Sequence, residues 1–149
     1  MMSQHFEITE ILNSGRICRL AMVDDGKPYL VPLSYGYAGE TLYFHSAHQG
    51  RKISILRQNP RVWFEITLDT TIKDARKPCD WGVTFQSVMG DGVVEWIETE
   101  EEKTAALSAI MEQQAGGKPD QPFTFEPKAL ARTTVFKVII HTTSGKKAA

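Results

Sequence analysis

The stretch RICRLAMVDDGKPYLVPLSYGYAGETLYFHS, residues 16–46, alternates bulky with small or polar positions. An x-Gly pair interrupts it twice, at Asp25-Gly26 and at Ala38-Gly39. A period of two sends successive side chains to opposite faces of a strand, and an x-Gly pair supplies the positive backbone angles of a tight hairpin. The stretch therefore reads as three antiparallel strands in succession. In the second, Tyr29, Val31, Leu33, Tyr35 and Tyr37 share one face, and Leu30, Pro32, Ser34 and Gly36 share the other. Proline cannot donate to a ladder and glycine has no side chain to pack. The shallow face therefore marks either a sheet edge or a surface that something flat approaches closely.

The flanking segments follow the same logic. FEITEILNSG predicts a short helix with Phe6, Ile11 and Leu12 inward, closed by Gly15 in the left-handed position. RKISILRQ predicts a second short helix stopped by Asn59-Pro60. In RVWFEITLD, Val62, Phe64, Ile66 and Leu68 alternate with Arg61, Trp63, Glu65 and Thr67, which predicts a strand, and TIKDARKPCDWG predicts a polar loop. VTFQSVMGDGVVEWIE predicts a long strand bent at Gly90-Asp91-Gly92. Thr99 followed by three glutamates is a capping box opening a helix with Leu107, Ile110 and Met111 inward and a stop at Gly116-Gly117. Residues 118–128 predict a loop, TTVFKVIIHT a last strand, and 143–149 a polar tail.

Strand and crossover helix do not alternate for long enough to build a doubly wound parallel sheet. The expected fold class is mainly β, an antiparallel β-barrel with flanking helices, in one domain over 1–149 whose N-terminal helix lies within 1–14. With 42% apolar and 23% charged residues, the chain has the composition of a folded domain. Its net charge of −1 provides no global field for nucleic acid or an anionic membrane. No apolar run approaches the roughly 18 residues of a membrane span, and MMSQHFEITE lacks the pattern of a secretory signal, so the expected location is cytoplasmic. Cys18 and Cys79 lie far apart in unlike contexts and read as reduced thiols.

Known chemical motifs are scarce. His45, His48 and Cys79 would be an incomplete zinc set, and no metal site is expected. There is no G-x-S-x-G elbow, no phosphate-binding P-loop and no G-x-G-x-x-G after a strand. What stands out is Gly50-Arg51-Lys52 at the start of the second helix. Unpaired amides, the positive end of the helix dipole and two cations make a compact anion site there, suited to one phosphate. A flat ligand carrying a phosphate would account for this site and for the shallow strand face together.

YLVPLSYGY, LYFHSAHQGRKISILRQNPRVWFEI and FQSVMGDGVVEWI, in that order, resemble the pyridoxamine 5′-phosphate oxidase-like, FMN-binding split-barrel family. The histidine-rich turn before Gly-Arg-Lys, the Cys-x-Trp loop and the Ser-Val strand are similar to its nitroimidazole-resistance reductase branch. The resemblance runs from about residue 15 to residue 145. It implies an antiparallel split barrel of Greek-key type and FMN as cofactor. By position it implies that Val31, Pro32, Leu33, Ser34 and Tyr35 lie along the flavin ring edge, and that Phe44, His45 and Ser46 lie beside the ring and ribityl chain. Arg51 and Lys52 would hold the phosphate, and Ser87 and Val88 would complete the pocket. It further implies a homodimer with FMN at the subunit interface, where Trp63 and the last strand approach the partner's flavin.

The activity implied is that of an FMN-dependent oxidoreductase passing electrons from NAD(P)H to a small acceptor such as a nitroaromatic. His45 is the one candidate catalytic residue, either stacking on the flavin ring or donating a proton beside it, or else a strand histidine packed in a hydrogen-bonded niche. The chain lacks the C-terminal arginine, histidine and tryptophan segment of the vitamin oxidases and ends in HTTSGKKAA. Oxidation of the vitamin is therefore disfavoured. The alternative is a binding or sensing module for FMN or another flat cofactor, haem or a deazaflavin, without turnover of its own.

Overall fold

A computed structural model describes residues 4–148 of the chain. The described residues form one seven-stranded antiparallel sheet in the order β2-β1-β5-β6-β7-β4-β3. Its strands are β1 (Ile17–Asp24), β2 (Lys27–Ser34), β3 (Gly36–Ala38), β4 (Thr41–Ser46), β5 (Arg61–Lys73), β6 (Gly82–Ile97) and β7 (Thr134–Ala148). Four helices flank them: α1 (Gln4–Ser14), α2 (Arg51–Gln58), α3 (Glu100–Ala115) and α4 (Pro127–Arg132).

The expected second strand is in fact two. It breaks at Tyr35, so that β2 pairs with β1 and β3 pairs with β4. These halves occupy opposite edges of the sheet although one residue separates them. Laid flat, seven strands would hold the two edges about 29 Å apart, six spacings of roughly 4.8 Å. The chain from Ser34 to Gly36 spans at most about 7 Å. The sheet must therefore curl until its edges meet at Tyr35, giving a barrel closed by the covalent chain there and open along the rest of the seam. Tyr35 is fully buried at this point, and its hydroxyl donates to the Leu12 carbonyl at 2.8 Å. Strands β4 to β7 form a Greek key, since β5, β6 and β7 are successive neighbours and β4 lies beside β7.

The expected strand faces hold. Cys18, Leu20 and Met22 of β1, Val62, Phe64 and Ile66 of β5, and Phe44, Phe136 and Val138 fill the interior, with Tyr29, Val31 and Leu33 of β2 packed against them. The first turn has Asp25 and Gly26 at φ 50° and 82°. The second falls one residue later than expected, on Gly39 and Glu40 at φ 57° and 59°. In α3, Thr99 Oγ1 accepts from the Glu102 amide and Gly116 closes the helix at φ 82°.

Several boundaries differ. Gly15 does end α1, but with φ outside the left-handed range; it is required because a Cβ there would overlap Tyr35 Oη and Ile66 Cγ2. The Phe6 side chain lies outside the described residues. The loop after β5 is shorter than expected: Thr71–Lys73 pairs with Gly82–Thr84, so the hairpin projects beyond the barrel with a 3-10 turn at Pro78–Asp80. The bend near Gly90-Asp91-Gly92 is a register shift, and His141 of β7 is the unpaired residue opposite it. Residues 143–148 are strand and not tail, because the long β6 offers them ladder partners from Phe85 to Gly90. PKALAR forms the short helix α4 with proline in its first turn, where an amide donor is not needed. Met111 is 44% exposed and not inward, whereas Ala106 and Ile110 of α3 are buried.

Helices pack against the barrel. Ile8, Ile11 and Leu12 of α1, and Ile53, Ile55 and Leu56 of α2, join the barrel interior. Helix α3 lies across β3 and β4 with its backbone against Gly36, where a Cβ would stand 2.5–2.7 Å from Ile110 N and from Ala109 C and O. Gln113 ties the elements together. Its Nε2 donates to the carbonyls of Leu12, Asn13 and Gly15, and its Oε1 accepts from the Tyr37 amide.

Candidate functional site

The open seam begins where β2 and β3 part. β2 pairs only with β1, so its other edge has no ladder partner along Lys27–Ser34. β3 covers β4 only over Thr41–Tyr43, so Phe44, His45 and Ser46 extend past it with an unpaired edge. Unpaired backbone donors and acceptors on two strand edges form a ready-made hydrogen-bonding rim. Helix α2 starts five residues beyond Ser46. Of the residues expected to meet a ligand, Val31 to Tyr35, Phe44 to Ser46, Arg51 and Lys52 all belong to these two edges and the helix start that follows them.

Their side chains divide by face. Val31 and Leu33 point inward and are half-buried, Pro32 is exposed, and Ser34 is half-buried. Tyr35 and Phe44 are core residues, and Phe44 stacks on Phe136 with ring centroids 5.2 Å apart. Tyr35 and Phe44 can therefore meet a ligand in the seam through their backbone only. Ser46 is the exception on the inner face: its Oγ is buried with no hydrogen-bond partner among the described residues. A buried hydroxyl without a partner costs stability, so a ligand oxygen or nitrogen arriving there would relieve a standing penalty. His45 lies on the outer face and is exposed.

At the start of α2 the N-cap Gly50 has φ 143°, a value that favours glycine, and no side chain caps the helix. The first amides stay available to an anion. The Arg51 guanidinium lies over the Tyr29 ring at 4.3 Å and 3.8 Å from an Asp24 carboxylate oxygen. An intramolecular carboxylate thus already offsets part of the positive charge that the sequence left uncompensated. Both partners are solvent-exposed, so this contact is weak and exchangeable. The half-buried Lys52 has no ion pair among the described residues.

Ser87 and Val88 do not join the seam within one chain. They lie on β6, with β5 and β1 between them and β2, and β7 between them and β4. Val88 is in the core, and Ser87 Oγ donates to Glu65 Oε2 at 2.8 Å. Glu65 also accepts from Thr67 and, at 3.1 Å, from Arg19. The one signal of this polar cluster in the sequence is an acid at an outward position of a strand that alternates strictly. Around it the outer face of β1, β2, β5 and β6 exposes Ile17, Val23, Leu30, Trp63 and Met89, with Leu30 at 60% and Trp63 at 57%.

The two histidines have different surroundings. His48 Nε2 donates to the Ala131 carbonyl at 2.8 Å, which leaves Nδ1, 2.6 Å from Thr134 Oγ1, as the acceptor in the neutral ring. Both its nitrogens are occupied in tying the turn after β4 to α4. Among the described residues no group of three or more His, Cys, Asp or Glu is placed to hold a metal ion. Cys79 is exposed, while Cys18 is buried and desolvation pushes its thiol up to about 12. A concavity of about 350 Å³ lies away from the seam between α1, β3 and the end of α3. It is walled by Arg16, Tyr37, Glu112 and Gln113, and Gln113 is already committed to the α1 carbonyls. No helix among the described residues is long and apolar enough to cross a membrane.

Comparison with known proteins agrees with this architecture. The chain is 30% identical to a proposed 5-nitroimidazole antibiotic resistance protein from Bacteroides thetaiotaomicron, over 97% of this chain and 84% of that one, with a TM-score of 0.82. It is 28% identical to an FAD-binding protein from Mesorhizobium loti, over 97% and 94% of the two chains, with a TM-score of 0.71. An FAD- and haem-binding protein from Mycobacterium smegmatis shares the fold at a TM-score of 0.84 and 21% identity, over 96% of this chain and 70% of that one. An uncharacterised protein of Rhizobium meliloti (strain 1021) is 38% identical over 60 residues, a match spanning 40% of this chain and 39% of that protein. The family model for pyridoxamine 5′-phosphate oxidase matches residues 4–147. With its split antiparallel barrel and this near-complete match, the chain belongs to the pyridoxamine 5′-phosphate oxidase family.

Proposed function

We propose that the protein is a homodimeric flavoprotein oxidoreductase that holds FMN in the open seam and passes electrons from NAD(P)H to a small oxidised acceptor such as a nitroaromatic. The observation carrying this reading is the seam itself: two unpaired strand edges, an orphaned buried hydroxyl on Ser46, and an uncapped helix start with Arg51 and Lys52. The residues present suit a flat, hydrogen-bonding ring joined to a phosphate. Backbone groups of residues 31–35 would bind the polar edge of the ring, Ser46 a ribityl or ring oxygen, and Arg51, Lys52 and the α2 amides the phosphate. A bound flavin supplies the hydride and electron chemistry. The chain's own residues bind, orient and exclude water.

Dimerisation is supported by surface. A compact monomer of 16.7 kDa exposes roughly 7,600 Å², whereas this chain exposes 9645 Å², an excess of roughly 2,000 Å². The apolar outer face of β1, β2, β5 and β6 is the surface we assign to the partner, and it would carry Trp63 and Ser87 toward the partner's seam. FAD- and haem-binding relatives share the fold, so a binding module without turnover is the second reading. Anaerobic addition of NADH or NADPH to the FMN-loaded protein separates the two. Bleaching of the flavin's visible absorption, and its return on adding a nitroaromatic, is expected of the oxidoreductase. A flavin that stays oxidised under both donors would overturn that activity and leave the binding module.

A further inference from the structure

On the far side of β4 from the barrel interior, α3, α4 and the preceding loop flank an open concavity of about 210 Å³ whose wall is mainly apolar, formed by Leu107, Ile110, Met111, Phe125 and Leu130. Its one titratable group is His45. Unlike His48, His45 has no hydrogen-bond partner for either ring nitrogen among the described residues. Met111, which α3 leaves 44% exposed, is part of this wall. An apolar cavity of about 150 Å³ accepts a benzene molecule, so this one has room for a substituted single ring. A neutral or protonated imidazole has at least one N–H to donate, and at the edge of an apolar wall that donor selects an oxygen acceptor on an otherwise apolar molecule.

We infer that this cavity binds a small aryl compound bearing one oxygen acceptor, its ring held by Met111, Leu107, Phe125 and Leu130 and its oxygen on His45. The backbone of His45 lies on the β4 edge of the seam while its side chain serves the cavity, so a ligand here sits against the strand that lines the seam. As the substrate pocket of a flavoprotein it rests on the function proposed above. As a binding site it stands on the cavity and the free histidine alone.

The test uses the full chain labelled with 13C-methyl methionine, titrated with acetophenone and with cumene, which has the same shape without the oxygen. Both should shift the Met111 methyl resonance saturably, with acetophenone binding roughly three- to tenfold more tightly, the gain of one hydrogen bond. His45→Phe should abolish that preference while retaining binding. Ala129→Trp, placed on the cavity wall, should abolish binding of both compounds, and Leu107→Trp provides a second filled cavity should the first variant misfold. An unchanged preference in His45→Phe, or unchanged binding in a folded filled-cavity variant, would overturn the assignment. FMN titration of the same samples keeps the two readings apart: saturable acetophenone binding by a protein that takes up no FMN supports the cavity and overturns the flavin.

Discussion

At Ser46 the proposed ligand would meet a hydroxyl that is buried with no partner among the described residues. A buried, unpartnered hydroxyl costs about 1–3 kcal/mol, so Ser46→Ala should raise the stability of the ligand-free protein by roughly 1 kcal/mol in urea denaturation and weaken FMN binding. A variant that loses stability would mean the hydroxyl already has a partner. At the start of α2, charge-assisted contacts to a phosphate contribute about 1.5–3 kcal/mol each. The double variant Arg51→Ala with Lys52→Ala should therefore lose at least a hundredfold in FMN affinity by fluorescence titration, with its circular dichroism unchanged. Equal affinity would remove the phosphate from this helix. The anion site proposed at Gly50-Arg51-Lys52 is suggested by residue types alone, because cations at a helix start stand out against the dipole. Asp24 as the counter-ion of Arg51 could not, since that contact forms only when the β1–β2 hairpin folds beside α2.

Among the elements, strict period-two alternation made the interior faces of β1, β2 and β5 legible, and the capping box and glycine stop defined α3. The break at Tyr35 was not legible. The alternation runs through it without a fault, and only the pairing of each half with a different neighbour separates β2 from β3. The end of β7 was missed for a related reason: SGKKA has no apolar alternation and is strand because β6 is long enough to pair with it. Helix α4 has six residues, too few to show a period. Gly36 holds the junction of β3 and α3. Gly36→Ala would press a methyl against helix backbone that cannot move aside, and should cost roughly 3 kcal/mol in chemical denaturation. A loss near zero would show that α3 can lift off the sheet without consequence.

For the molecule as a whole, the curled sheet fixes both the core and the seam. Burial raises the Cys18 thiol from 9.0 to about 12, and it raises the Tyr35 phenol as well. Both groups are neutral when protonated, so above about pH 9 the unfolded chain releases these protons before the folded one does. Stability is then complete below pH 9 and falls as pH rises toward 12. Thermal unfolding across that range should show a steep alkaline decline that Cys18→Ala makes shallower; an identical slope in the variant would assign the decline to other groups. The central claim is that the open seam holds a flavin in a dimer of this chain, and sedimentation velocity of the FMN-loaded protein, followed at the flavin's visible absorption, tests it most directly. The account predicts one boundary at the mass of two chains carrying one flavin per chain. Flavin left behind in solution, or carried by a single chain, would contradict it.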